Sequence, residues 1–200
     1  MNEIKKEIIT KVVYKYDEYI HQGDFIKDVK YFEKYSEKDG EIEISLINFP
    51  LAVILTQECD AVQDYDNRIK NNDNTDVCNH QYLLSVIAAP VYNIEDIKEG
   101  LHLENLNLKY KRLNSDEMKK IKQNREARYH YMKIEVAPTK YIEYIIDFKH
   151  YFTINVEQAI NHKKNKDNFQ FTLDNLFKES VSQRFANYLS RIGLPESEIK

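Results

Sequence analysis

The stretch Pro50-Leu-Ala-Val-Ile-Leu-Thr-Gln-Glu-Cys-Asp60 decides the fold, because a short apolar run leads directly into polar residues. Residues 51–56 have the length of a strand and almost no polar side chains, which predicts a central strand buried on both faces. Residues 82–92 form a second run of this kind, with Pro90 near its end. Two buried strands in the middle of the chain predict a sheet around which the rest of the fold is built.

Three further segments, at residues 41–47, 127–136 and 141–148, show the alternation of apolar and polar residues that is typical of half-buried strands. Together with 50–57 and 82–91 they dominate the centre of the chain, and no regular alternation of strands with helices indicates a parallel sheet. We therefore predict an α+β fold that is mainly β, with flanking helices and one small, strongly curved antiparallel sheet.

A length of 200 residues predicts one domain covering residues 1–200. Its predicted parts are an N-terminal helix at 1–22, a barrel core at 23–92 and 127–150, a helical insertion at 93–126 and a C-terminal helical part at 151–200. The last part contains a helix near 176–192 that is expected to pack on the sheet through Phe185 and Leu189. Residues 60–81 are rich in Asp and Asn and predict a long loop.

Charge and hydropathy narrow the classes of function. The 29 Lys and Arg residues against 33 Asp and Glu residues give a formal net charge of −4, which indicates no general positive field for nucleic acid. The longest apolar stretch, at 49–56, is too short to span a membrane, and the first residues lack the apolar region of a signal peptide. We expect a cytoplasmic protein without membrane contact, whose two cysteines are reduced thiols.

The polar end of the 50–57 strand supplies the first candidate catalytic residues, Gln57, Cys59 and Asp60. Side chains at a strand end are held rigidly while still exposed, which suits catalysis. Cys59 would act as a nucleophile only with a nearby base or positive charge, and the flanking Glu58 and Asp60 oppose this. In the alternative interpretation, Cys59 packs as a small apolar residue while Gln57 and Asp60 bond backbone amides of the following loop.

A zinc site is a second hypothesis for this region. Cys59, Cys78 and His80 offer sulfur and nitrogen ligands, with Asp60 as a fourth, but their spacing lacks the second close pair of a standard zinc motif. The alternative is a solvated loop, and we expect neither a metal nor another cofactor.

Arg128 and His130 are the remaining candidate catalytic residues. Their spacing of two predicts that both lie on one face of the 127–136 strand. There they would clamp a phosphate or carboxylate, or His130 would act as an acid or base. The alternative is an exposed face of an edge strand.

Three fragments resemble the MazF/PemK toxin family, whose members cut RNA: Gly23-Asp-Phe-Ile-Lys-Asp-Val, Pro50-Leu-Ala-Val-Ile-Leu-Thr-Gln and Leu84-Ser-Val-Ile-Ala-Ala-Pro. The fragments span residues 23–90, about a third of the chain, and the resemblance implies a small SH3-like antiparallel barrel. Family members carry an arginine before the proline of the second fragment and a hydroxyl residue at the end of the third. Phe49 and Val91 stand at these places and provide neither group.

The toxin reaction would therefore need Arg128 or His130 to replace the family's residues. A second resemblance is to uncharacterised bacterial proteins with a Gln-x-Cys-Asp strand end. It rests on residues 57–60 and on the ending Arg184-Phe-Ala-Asn-Tyr-Leu-Ser-Arg-Ile-Gly-Leu-Pro. Some of these are associated with defence or toxin–antitoxin systems.

Two functions follow as expectations. The first is a toxin-barrel-like binding or regulatory module in a bacterial defence or toxin–antitoxin system, without the family's RNase residues. Its expected partner is a protein of the same system, while nucleic acid or further copies of the chain are open alternatives. The second is an RNase or other phosphoryl-cleaving hydrolase with a relocated active site.

Overall fold

The computed structural model describes residues 8–70 and 80–191 and shows an α+β protein with an eight-stranded sheet. The strands are β1 Val12–Val13, β2 Asp24–Lys38, β3 Glu41–Ile54, β4 Ser85–Asn93, β5 Tyr129–Ala137, β6 Lys140–Asp147, β7 Phe152–Asn155 and β8 Phe169–Leu173. The helices are α1 Glu58–Lys70, α2 Ile94–Glu99, α3 Ser115–Lys122, α4 Val156–Lys164 and α5 Asn175–Leu189. No helix of these residues is long and apolar enough to cross a membrane.

The sheet is antiparallel and curved, as the sequence predicts. Its strand order is β1-β8-β2-β3-β4-β6-β5, and β7 pairs with β4 outside this path. An isolated parallel bridge between Thr10 and Ile134 brings the segment before β1 against β5, which lies at the opposite end of the order. The sheet is unclosed, so a complete SH3-like or MazF-type barrel stays a prediction.

Three apolar clusters hold the layers together. The concave face of the sheet encloses Phe25, Val53 and Phe148, and α5 packs against them through Phe185. The opposite face of β2, β3 and β4 packs against α4 and β7, and a third cluster joins α2 and α3 to β4, β5 and β6. The predicted packing of the last helix through Phe185 is confirmed, whereas Leu189 is 51% exposed.

The N-terminal helix predicted at 1–22 is wrong for residues 8–22, which form a bridge at Thr10, the short strand β1 and irregular backbone. Val12 and Val13 pair with β8, and the amide of Thr10 donates to the carbonyl of Lys133 at 2.7 Å. The helical spacing of apolar residues was overridden because both ends of the sheet offer backbone partners to this segment. Residues 1–7 lie outside the described residues.

The loop predicted at 60–81 is also wrong in its first half, since α1 occupies Glu58–Lys70. Buried Asp64 accepts the amide of Leu83 at 2.8 Å and pairs with Arg68 one helical turn later. The predicted strands 41–47 and 50–57 form the single strand β3, which ends at Ile54. The C-terminal part is not wholly helical, because it also contributes β7 and β8 to the sheet.

Candidate interaction surface

The two longest strands extend beyond the body of the protein as a two-stranded ribbon, which we define as residues 30–48. β2 pairs with β8 only over Asp24–Ile26, and β3 pairs with β4 only over residues 52–54, among the described residues. Beyond these points the two strands pair only with each other, up to Lys38 opposite Glu41. The ribbon therefore has two faces and two edges without further strand pairing among the described residues. At its base, the side-chain amide of Asn105 donates to the carbonyl of Asn48 at 3.3 Å.

The tip of the ribbon is a two-residue turn formed by Asp39 and Gly40. Both residues have positive φ, at 55° and 81°, which is the backbone of the type I′ turn preferred in two-residue hairpins. An Asp-Gly pair between alternating segments is a strong hairpin signal, and it was present in the sequence.

One face of the ribbon is apolar and exposed. Register pairs Phe32 with Leu46 and Tyr35 with Ile44, and a bulge between residues 32 and 34 keeps both aromatic rings on this face, 6.5 Å apart. The exposed fractions are Phe32 48%, Tyr35 68%, Ile42 66%, Ile44 58% and Leu46 53%. The opposite face carries polar side chains over the same length, with Ser45 donating to Glu33 at 2.6 Å.

The apolar face is bounded by charge at both ends. Lys30 lies beside Asn48 at the base of the ribbon, and Glu37 lies beside Ile42 near its tip. Both charged residues are exposed, and neither makes an ion pair among the described residues. Along the strand direction, the five apolar side chains therefore lie between a positive charge at the base and a negative charge near the tip.

Burial of this face would be favourable. At roughly 200 Å² for each side chain when fully exposed, the five present on the order of 500 Å² of apolar surface. The largest apolar patch on an ordinary monomer is about 300–600 Å² and often serves binding. Since an isolated two-stranded hairpin is at best marginally stable in water, covering the face would also stabilise the ribbon.

The predicted candidates Gln57, Cys59 and Asp60 lie at the start of α1 and are exposed. The sulfur of Cys59 is 3.7 Å from Gln57 Oε1 and 3.6 Å from Asp60 Oδ1. These acceptors do not activate a thiol. The anchoring of backbone expected of Asp60 is instead made by Asp64, one turn later.

The zinc hypothesis stays a prediction, because Cys78 lies outside the described residues. His80 is exposed. Within residues 8–70 and 80–191, no group of three or more His, Cys, Asp or Glu side chains is placed to hold a metal ion.

The prediction that Arg128 and His130 share a strand face is wrong. Arg128 precedes β5 and turns to the outer side of the sheet, where it lies over the ring of Tyr129 at 4.8 Å. Its guanidinium donates two hydrogen bonds to fully buried Asp147, at 2.8 and 2.6 Å. Burial opposes ionisation of Asp147, but the bonds from Arg128 and His150 outweigh it and keep its pKa below the ordinary value.

His130 points to the concave side, against the ring of Phe148. It is 4% exposed, and its Nδ1 has no hydrogen-bond partner in the described part of the chain. Burial, aided by the positive charge of Arg184, lowers the pKa of His130 to about 3. His130 is therefore neutral near pH 7 and is a core residue.

The positions that should carry the toxin family's catalytic groups are also in the core. Phe49 is 3% exposed and stacks on Phe152 with ring centroids 4.6 Å apart. Val91 is 3% exposed and pairs with Ile146 of β6. Apolar packing accounts for both residues.

A further polar cluster, not predicted from the sequence, ties the N-terminal segment to the body. Lys163 is 1% exposed and donates to Asp24 at 2.7 Å, to Asp17 at 3.0 Å and to the carbonyl of Tyr19. Thr172 donates to the second oxygen of Asp24. All donors of this ammonium group are used, which indicates a structural role.

His21 continues this cluster towards α1. Its ring nitrogens lie 2.7 Å from Asp17 and 2.6 Å from Glu58. Burial acts to lower the pKa of His21, but the bonds to Glu58 and Asp17 outweigh it and raise the pKa. These residues are far apart in the sequence, so no local pattern indicates that they meet.

Comparisons of the chain with family models, curated proteins and solved structures found no match.

Proposed function

We propose that the chain is a protein-binding module whose docking surface is the apolar face of the ribbon. The observation that carries the proposal is that five large apolar side chains on one face are about half to two-thirds exposed. On the opposite face, only Tyr31 and Ile47 at the base are apolar, and they pack against the core. In line with the MazF/PemK resemblance, we propose a toxin-barrel-like module of a bacterial defence or toxin–antitoxin system, acting through protein contact.

The arrangement of the other candidates favours binding over RNA cleavage. Arg128 is held by Asp147 on one side of the sheet, whereas His130 is buried on the other. Cys59 and Asp60 belong to another element, at the start of α1, and no hydrogen bond or ion pair joins them to Arg128 or His130 in the described part of the chain. General acid–base chemistry needs its groups within reach of one substrate atom, and these residues do not converge.

A matched pair of variants tests the proposal. Ile42→Thr/Ile44→Thr removes apolar surface from the docking face but keeps β-branched side chains that suit a strand. Glu41→Thr/Glu43→Thr also introduces two threonines, but on the opposite face of the same strand, so it leaves the apolar face unchanged. The readout is the size of the complex in which the chain migrates in extracts of the cells that make it.

We expect the wild type and the Glu41/Glu43 variant to migrate in a complex, and the Ile42/Ile44 variant to migrate as a single chain. The proposal is contradicted if the wild type migrates as a single chain, or if both variants stay in the complex.

RNA cleavage is tested separately with purified chain. Cleavage by the wild type that is lost in Cys59→Ser or Asp60→Ala, without a change in melting temperature, would support the hydrolase instead. Both residues are exposed, so these substitutions leave the core intact.

A further inference from the structure

We infer that the ribbon binds a second copy of this chain, with the two apolar faces packed together and the two ribbons antiparallel. The inference rests on the proposed function, since it names the occupant of the same surface. It follows from the order of side chains along the face, which is complementary to its own reverse.

The midpoint between the two aromatic residues of β2 is also the midpoint between the two charged residues, Lys30 and Glu37. Along β2, Lys30 and Glu37 flank Phe32 and Tyr35 symmetrically, because one residue separates the charge from the ring at the base and one at the tip. A two-fold axis through this centre, in the plane of the interface and across the strands, reverses one ribbon against the other. It places Phe32 over Tyr35 of the second copy, and Lys30 over Glu37 of the second copy.

β3 is symmetric about the same axis. Leu46 comes to lie over Ile44 of the second copy, and Asn48 over Ile42. The interface then has an apolar centre and an attractive charge pair at each end, the usual distribution in protein interfaces. A parallel arrangement instead places Glu37 over an isoleucine and leaves both charges without partners.

The charges cannot meet within one chain. Seven residues separate them along one strand, which is roughly 20 Å at the rise of a β-strand. Any interaction that makes the two positions depend on each other is therefore between chains.

The area is sufficient for a reversible dimer. Burial of about 500 Å² of apolar surface on each copy gives about 1,000 Å² in total, the lower limit for a specific interface. The charged and polar residues at the rim add to this area. We expect a dissociation constant on the order of micromolar, so that charge substitutions at the ends shift it measurably.

Sedimentation equilibrium of purified chain tests the inference with two single variants and their mixture. Lys30→Glu makes both framing positions acidic, and Glu37→Lys makes both basic. Each variant opposes like charges twice in its own dimer, so we expect its dissociation constant to rise at least about tenfold. In an equimolar mixture, each chain of one variant faces opposite charges on the other, and we expect dimers to return.

The control is the pair Lys38→Glu and Glu43→Lys. These residues lie away from the apolar face, so neither variant changes dimerisation, alone or mixed. Recovery restricted to the mixture of the Lys30 and Glu37 variants identifies the antiparallel arrangement.

Three outcomes overturn the inference. If purified wild-type chain is monomeric at the highest concentration that stays in solution, or if Ile44→Thr leaves dimerisation unchanged, the second copy is not the occupant. If the mixture dimerises no better than the separate variants, the antiparallel packing is wrong. The proposed function stands in either case when the complex in cell extracts still depends on Ile42 and Ile44, and fails when it does not.

Discussion

Replacing Lys163 by methionine should destabilise the protein strongly. Methionine keeps much of the length of the lysine stem, so the loss is that of the ammonium group. This group is 1% exposed and pairs with Asp24, which is fully buried. Removing one partner of a buried ion pair costs about 3–5 kcal/mol, because the other charge is left without compensation. For a chain of this size the melting temperature should fall by about 10 °C.

The matched control is Lys164→Met on the same helix, where the lysine is exposed and, within residues 8–70 and 80–191, donates only to Asn161, at 3.4 Å. Its free energy of unfolding should change by under about 0.5 kcal/mol. Chemical denaturation monitored by circular dichroism gives both values, and Asp24→Asn in the Lys163→Met background should cost less than Asp24→Asn alone. A loss of under about 1 kcal/mol for Lys163→Met would refute the structural role of the cluster.

Two predictions concern pH. The raised pKa of His21 means that its contribution to stability is complete below the unfolded value of about 6.5 and is lost as pH rises through the folded value; His21→Gln should flatten this slope in melting curves between pH 6 and 9. The pKa of His130 is lowered from 6.5 to about 3, so the contribution of this residue is complete above pH 6.5 and is lost as pH falls towards 3. Between pH 7 and pH 4, the His130→Leu variant should therefore lose less unfolding free energy than the wild type, by about a few kcal/mol. If the two proteins have the same pH profile, the ring is not buried as a neutral group.

The central strand and the last helix could be predicted because their sequence patterns match their burial. The apolar run at 51–55 lies between two neighbouring strands, and Phe185 lies on the buried side of α5. The segment at 8–22 has a helical pattern but is not helical, since sheet edges distant in the sequence pair with Thr10, Val12 and Val13. Local helix propensity carries no information about partners that are distant in the sequence.

The candidate sites show the same division. The spacing of two residues predicted that Arg128 and His130 lie on one strand face. Arg128, however, precedes the first residue of the strand, and its side chain turns towards Asp147. The ribbon itself can be predicted from the sequence, because Asp39-Gly40 indicates a two-residue turn and residues 42–46 alternate between apolar and polar side chains. The exposure of its apolar face could not be predicted, because alternation indicates that one face is apolar but not whether the rest of the protein covers that face.

Photo-crosslinking along β3 tests most directly whether the apolar face of the ribbon is a docking surface. A photoreactive amino acid is placed in turn at each position from 41 to 46, and adducts are measured in the cells that make the protein. The account predicts adducts from positions 42, 44 and 46 and none from 41, 43 and 45, because successive strand residues point to opposite faces. Equal adducts from all six positions, or none from the apolar three, would contradict it.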